Sequence, residues 1–405
     1  MRLSVGITNF GEIEINDLAI QISVNENTSG LPINIDSIKS GEEKIITAFV
    51  EIDSPGYLRI KAEFDYKDSK SVDNSREIVI RAIEKIQTLL IDGEPGRSIT
   101  ESETFFLQNA LIPVPEELID SFFISSDIIN LGSIQDIEIK DYDVIFLANV
   151  PDFSNELSNR LNDFVKSGGG LVVFPGDNIN ASFYNQELHE KLNLLPASYG
   201  KILPIEGSNN VLSLQASGYN HPLVELWNDP GAGTLGDVKT FKAFELILKD
   251  GVDSNIAIQY NNGSAAVIEA DVGLGKVYQF SSAADTEWND LPVKAAFLPI
   301  VHRVVGSVIS RMDSGLNIQV GDTFIRKVPQ SWINKEATIS HSKSETATFI
   351  NAEISDDGGN VQFNQVNSSG IYDLKLTEPF ELIQFSATSD PRESNPCLLY
   401  TSPSP

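Results

Sequence analysis

The sequence predicts a three-part chain in which an α/β domain, built on a parallel, doubly wound sheet, separates two small all-β sandwiches. Three observations predict it. Short alternating runs broken by turn signals about every 8–12 residues fill both ends. Apolar runs alternate in the middle with helical stretches of about 10–15 residues. The 405 residues also exceed what one core accommodates at roughly 150 residues per domain.

The first module, 1–84, reads strand, turn, strand: Leu3–Asn9, Leu18–Val24, Ile33–Ile35, Lys44–Ile52, Leu58–Asp65 and Glu77–Ile83. Gly11, the Asn25–Gly30 loop, Gly41, Pro55-Gly56 and the polar stretch Lys67–Ser75 supply the breaks. The pattern changes at Ile86. An apolar strand to Ile91 ends in Asp92-Gly93-Glu94-Pro95-Gly96, and a helix is expected over Ser98–Leu111, with Ser102 or Thr100 as its cap. Strands at Ser121–Ser125, Tyr142–Leu147 and Leu171–Phe174 follow, the last preceded by the amphipathic helix Asn155–Lys166 and by Gly168-Gly169-Gly170. That glycine run follows a helix and precedes a strand, so it reads as a helix cap; a phosphate cradle has the opposite order.

Residues 183–235 are less readable. Phe241–Leu246, Ile256–Tyr260, Ala265–Ala270 and Val277–Phe280 then read as an antiparallel extension of the sheet, with hairpins at Asn261-Asn262-Gly263 and Gly273-Leu274-Gly275. A helix over Pro292–Arg311 closes the central domain, 85–312. Short strands return over 313–395, and residues 396–405 share no pattern with what precedes them. That tail is read as non-native and both ends as cut.

Composition bounds the function. With 57 acidic and 29 basic residues the net charge is −28, so phosphate backbones are repelled and nucleic acid is not an expected partner. The only cysteine is Cys397, which leaves no disulfide framework, cysteine zinc site or thiol chemistry in the core. No metal and no cofactor are expected. No run approaches the roughly 20 apolar residues of a membrane span.

Three phrases resemble a known family: Leu89–Gly96, Phe164–Gly176 and Asp285-Thr286-Glu287-Trp288-Asn289-Asp290-Leu291-Pro292. A fourth, Asp390–Ser394, resembles that family's segment before a C-terminal membrane helix. The chain is similar to bacterial aerotolerance (Bat-type) membrane proteins, which pair transmembrane segments, often with a von Willebrand A domain, with a glutamine-amidotransferase-like domain. The first module resembles the adhesion-type sandwich of bacterial surface proteins. The resemblance implies a flavodoxin-like, class I amidotransferase-like central domain on the extracytoplasmic face of the inner membrane, anchored through segments outside this sequence. It also implies a nucleophilic cysteine on the turn after a central strand. Here that turn reads Pro175-Gly176-Asp177-Asn178, so the thiol route is closed.

Candidate site residues follow from position. Asp92, Glu94, Asp177 and Asp285 fall just after expected strand ends, where open α/β sheets bind ligands. Asp92 is read as tightening a turn; the other reading is a carboxylate cluster for a cation or a sugar. Without cysteine, Asp92, Glu94 and Asp177, with His221, are the candidates for acid–base work. Trp288 and Asn289, beside Asp285, read either as a packing corner or as a ligand platform. His302 reads as a hydrogen-bonded core residue. A hydrolytic triad from Ser281, Ser282, Asp285 and His302 lacks a Gly-x-Ser-x-Gly elbow. The expectation is a non-catalytic binding or scaffold module for a protein partner or small ligand. Its rivals are a carboxylate-based hydrolase or carbohydrate-active enzyme using the strand-end cleft, and a purely structural adhesion-type protein.

Overall fold

A computed structural model describes the chain except residues 67–73, 204–210, 250–253, 312, 314, 329–331, 343, 345–346, 356–357, 378–379 and 391–405. Most of the Lys67–Ser75 stretch, most of the Asp390–Ser394 phrase, Cys397 and the 396–405 tail lie outside the described residues.

The described residues gather into two compact units. One contains Met1–Glu84 together with the chain after Asp313, and the other is essentially Lys85–Met312. In the first unit the period-two pattern of Ile15–Val24 sends Leu18, Ile20 and Ile22 inward, where they meet Ile35, Ile38 and Ile60. In the C-terminal segment Phe324 stacks on Phe385 at 3.8 Å, with Tyr372 on the far side of Phe385 at 5.0 Å. The two β segments join through Val79, Leu316 and Ile371. The Asn317 amide there imitates a strand, accepting from Val79 N and donating to Val79 O, both at 2.8 Å.

The second unit is built on a seven-stranded sheet. Its spatial order is Ser254–Gln259, Ala265–Val272, Gly275–Phe280, Gly170–Phe174, Val144–Ala148, Ile86–Asp92 and Ile124–Asn130. The last five run parallel, and the first two are antiparallel additions. Val144–Ala148 and Gly170–Phe174 are buried at every residue, which explains their unbroken apolar runs. The Asn155–Lys166 helix has its expected bounds. Ser154 Oγ caps it by accepting from Leu157 N, and Gly169 N closes it on Phe164 O at 3.0 Å.

The expectation of a flavodoxin-like, doubly wound α/β domain is corrected. The structure is mostly β, 43% strand against 21% helix, spread over many sheets. The strand–helix alternation read from sequence does not hold through the unit. Between Ile124–Asn130 and Val144–Ala148 the chain makes only 3-10 turns. The expected Ser98–Leu111 helix shrinks to a 3-10 turn, Ile99–Glu101, and seven α-helical residues, Phe105–Leu111. Ala243–Leu248 does not extend the main sheet; it pairs antiparallel with Ala197–Leu203 in a separate two-stranded ribbon. The helix expected over Pro292–Arg311 becomes a 3-10 turn, Leu291–Val293, and the α-helix Phe297–Arg311.

Candidate functional site

The chain leaves Ile86–Asp92 toward one sheet edge and returns on the other side to Val144–Ala148, so the carboxyl ends of these neighbours flank a point where connections diverge. Such a point in a parallel sheet opens a crevice. Asp92 closes the first strand and is buried. Its Oδ1 accepts from Glu94 N at 2.9 Å, and its Oδ2 accepts from Ser102 Oγ at 2.5 Å and Thr104 Oγ1 at 2.9 Å. Of the two residues read as the helix cap, Ser102 is thus turned onto Asp92 and Thr100 lies in the Ile99–Glu101 turn, and the shortened helix begins after both.

Asn149 follows Val144–Ala148 in the left-handed region, φ 50°, a conformation Asn tolerates better than most residues. Its Nδ2 donates to Glu94 Oε2 at 3.1 Å and to Glu103 Oε1 at 2.6 Å, and its Oδ1 accepts from Asn178 N at 2.8 Å. Asn178 Nδ2 also donates to Glu94 Oε2, at 2.9 Å. Two glycines clamp Asn149. A Cβ on Gly93 would stand 1.9 Å from Asn149 O, and one on Gly176 would stand 2.3 Å from Asn149 Cγ. The glycines of two sequence phrases are therefore explained by a residue in neither.

Glu103 is the floor of this arrangement, 4% exposed, and its Oε2 is buried without a hydrogen-bond partner. Burial, followed by the negative charge of Asp285 and, more weakly, of Asp92 and Glu94, pushes its carboxyl up to about 8 against the pull of the Asn149 amide. Asp285 is raised as well, by burial first, while its Oδ1 accepts from Glu287 N at 3.1 Å.

The remaining candidates lie elsewhere or serve structure. Asp177 is more than half exposed and ion-paired with Lys242. Lys242 in turn lies 4.4 Å over the Trp288 ring, and Trp288 is buried against Phe244. The Asn289 amide is spent on Ser282 Oγ, Ala283 O and Leu291 N. His221 does not join the strand-end carboxylates; its Nε2 is 3.1 Å from Glu269 Oε1. Tyr278 and Lys276 also donate to Glu269. Burial opposes ionisation of Glu269, yet hydrogen bonds from His221 and Tyr278 and the Lys276 ammonium outweigh it and hold the carboxyl down to about 2. Ser281 Oγ pairs with the Tyr260 hydroxyl, and His302 Nε2 with Ala110 O, so no Ser–His relay forms between them. A groove lined by Tyr142, Arg160 and Phe164 lies at the amino ends of the strands, away from the carboxylates.

Sequence reasoning missed Glu103, Asn149 and Asn178. Asn149 carried one signal, an Asn directly after a fully apolar strand and two residues before Pro151. Glu103 carried none beyond its place between two hydroxyl residues. Among the described residues no group of three or more His, Cys, Asp or Glu side chains is arranged to hold a metal ion, and no helix is long and apolar enough to cross a membrane.

No family model matches this chain, and no curated protein does. Among solved structures it is similar to a cytoplasmic protein from Salmonella typhimurium, at 14% identity over 55% of this chain and 98% of that one, with a TM-score of 0.40. It is also similar to a β-galactosidase from Bacillus circulans sp. alkalophilus, at 14% identity over 70% of this chain and 41% of that one, TM-score 0.38. A ThuA-like protein from Bacteroides uniformis is similar at 12% identity over 56% of this chain and 91% of that one, TM-score 0.38. Likenesses this distant carry no functional inference.

Proposed function

We propose that the second unit is a non-catalytic binding module whose ligand seats at the strand ends, over Glu94, Glu103 and Asp285. The observation that carries this reading is Glu103 Oε2, a buried polar atom without a partner. A buried polar atom left unpaired costs about 1–3 kcal/mol, and a ligand group that pairs with it recovers that cost.

Proton-transfer catalysis by Asp92, Asp177 and His221 is disfavoured by their engagements. Both oxygens of Asp92 already accept hydrogen bonds, Asp177 is tied to Lys242, and His221 is occupied by Glu269. A general base must reach a substrate proton with a free lone pair. The thiol route lacks its atom, because the single cysteine is Cys397. Attachment of a longer protein to the outer face of the inner membrane rests on the sequence resemblance, and fractionation of the native protein tests it.

Ligand-induced thermal stabilisation tests the binding reading. Glucose, glycerol, glucosamine and methylammonium are added in turn to the whole chain and to Glu94→Gln. At least one compound is expected to raise the melting temperature of the native chain and to act more weakly on the variant. Equal shifts in both proteins, or none in either, refute the site; conversion of any compound by the native chain but not by Asp285→Asn refutes the non-catalytic reading.

A further inference from the structure

Building on the binding site proposed above, we infer that it takes a ligand bearing a primary ammonium group, seated among Glu94, Glu103 and Asp285, and that Glu103 releases its carboxyl proton to solvent as the cation enters.

Charge balance comes first. Glu103 is faced by Asp285 from the segment after Gly275–Phe280, by Asp92 at the end of Ile86–Asp92 and by Glu94 in the following turn. Glu287 adds further negative charge beside Asp285. The donors that reach Asp92, Glu94 and Glu103 are neutral: Ser102, Thr104, the Glu94 backbone and the amides of Asn149 and Asn178. Lys242, a cation near this end of the sheet, is engaged by Asp177 and the Trp288 ring. A single amide nitrogen, Asn149 Nδ2, serves both Glu94 and Glu103, so two carboxyl groups converge on one neutral donor. Buried like charges in that arrangement retain a proton until another cation replaces it.

The free oxygens define which cation. Glu94 has one oxygen taken by the two asparagine amides, Glu103 has one taken by Asn149, and Asp285 has one taken by Glu287 N. Glu103 Oε2 is left without a partner, and Glu94 and Asp285 offer further carboxyl acceptors beside it. An ammonium carries three donors on one atom and suits three single acceptors. A guanidinium wants both oxygens of one carboxylate for its fork. In the exchange the Glu103 O–H bond breaks, the proton passes to buffer, and the carboxylate accepts a hydrogen bond from the incoming ammonium. Charge is conserved, with one cation in and one proton out.

Calorimetry of the full chain with glucosamine and glucose, in phosphate and in MOPS at about pH 7, tests this. Glucosamine is expected to bind at least about tenfold tighter than glucose, and its heat is expected to differ between buffers by the amount due to about one released proton. Glu103→Gln is expected to abolish the buffer dependence and to weaken glucosamine by about tenfold. Asp285→Asn, on the half-buried rim, is the second variant and is expected to weaken glucosamine without changing the circular dichroism spectrum. Equal binding of the two sugars without buffer dependence overturns the ammonium inference and leaves the binding module standing. Binding of neither sugar, nor of methylammonium, removes both.

Discussion

Replacing Glu103 by Gln isolates the energetic consequence of the buried carboxyl. In the unfolded chain this group ionises near 4.5, and in the folded chain near 8. Between those values the folded state holds a proton that the unfolded state has lost, so stability falls as pH rises and the full loss is reached above the folded value. The shift from 4.5 to about 8 corresponds to a loss of about 4–5 kcal/mol. Glutamine mimics the neutral acid: its carbonyl accepts from Asn149 Nδ2 and its amide occupies the place of Oε2. The variant and the native chain should therefore be similarly stable near about pH 5, with the variant more stable by most of about 4 kcal/mol near about pH 9. Urea denaturation followed by tryptophan fluorescence in a Trp332→Phe background reads the second unit alone, because Trp227 and Trp288 both lie in it. Parallel stability curves for the two proteins across that range would refute the assignment of a proton to Glu103.

The packing around Asn149 yields two more outcomes by the same assay at neutral pH. Gly93→Ala forces a Cβ to within 1.9 Å of the Asn149 backbone oxygen, where neither main chain yields freely, and should cost about 3 kcal/mol or more. Asn149→Ala removes the donor shared by Glu94 and Glu103 and the acceptor of Asn178 N, and leaves alanine at φ 50°; a loss of about 2–4 kcal/mol is expected. Glu269 has the opposite pH signature. Its folded value of about 2 against 4.5 supplies about 3 kcal/mol that is present above 4.5 and lost as pH falls toward 2. Glu269→Gln should remove that acid-side slope, and an unchanged acid limb in the variant contradicts the role given to His221, Tyr278 and Lys276.

What the sequence disclosed, and what it withheld, follows from the range of the interactions. The Asn155–Lys166 helix was legible to the residue because its determinants are local: a Ser154 cap, an amphipathic face and a glycine stop. Asp92 and Glu94 were legible as positions, since an acid after an apolar strand is a local pattern. Their partners were not, because Asn149 lies 55 residues from Glu94 and 46 from Glu103, and only parallel pairing of Val144–Ala148 with Ile86–Asp92 brings them together. His221 was grouped with the strand-end acids by residue type, yet Glu269, the partner it finds, was hidden in a strand that reads as mostly apolar, Ala265–Val272. The regular strand–helix alternation failed for a related reason: apolar runs specify burial, and the layer that buries them here includes 3-10 turns and an antiparallel ribbon as well as helices.

The two glycines show how a long-range constraint still leaves a local mark. Asp92-Gly93-Glu94 and Pro175-Gly176-Asp177 look like ordinary turn phrases, for which glycine is unremarkable. Neither glycine is among the residues with positive φ, so a turn conformation does not explain them; the space taken by Asn149 does. A side chain held between two backbones fixes its amide in direction, and a fixed amide fixes the carboxyl groups it serves. That rigidity is what holds Glu103 Oε2 in place without a partner, since a freer carboxyl would rotate toward water. Loosening the clamp should therefore disturb the proton on Glu103 before it disturbs the sheet. Gly176→Ala, which crowds the Asn149 side chain and not its backbone, should lower the Glu103 ionisation toward the ordinary carboxylate range while the amide exchange of Val144–Ala148 remains slow. If exchange in that strand accelerates and the Glu103 ionisation stays near about 8, the clamp serves the sheet and not the acid.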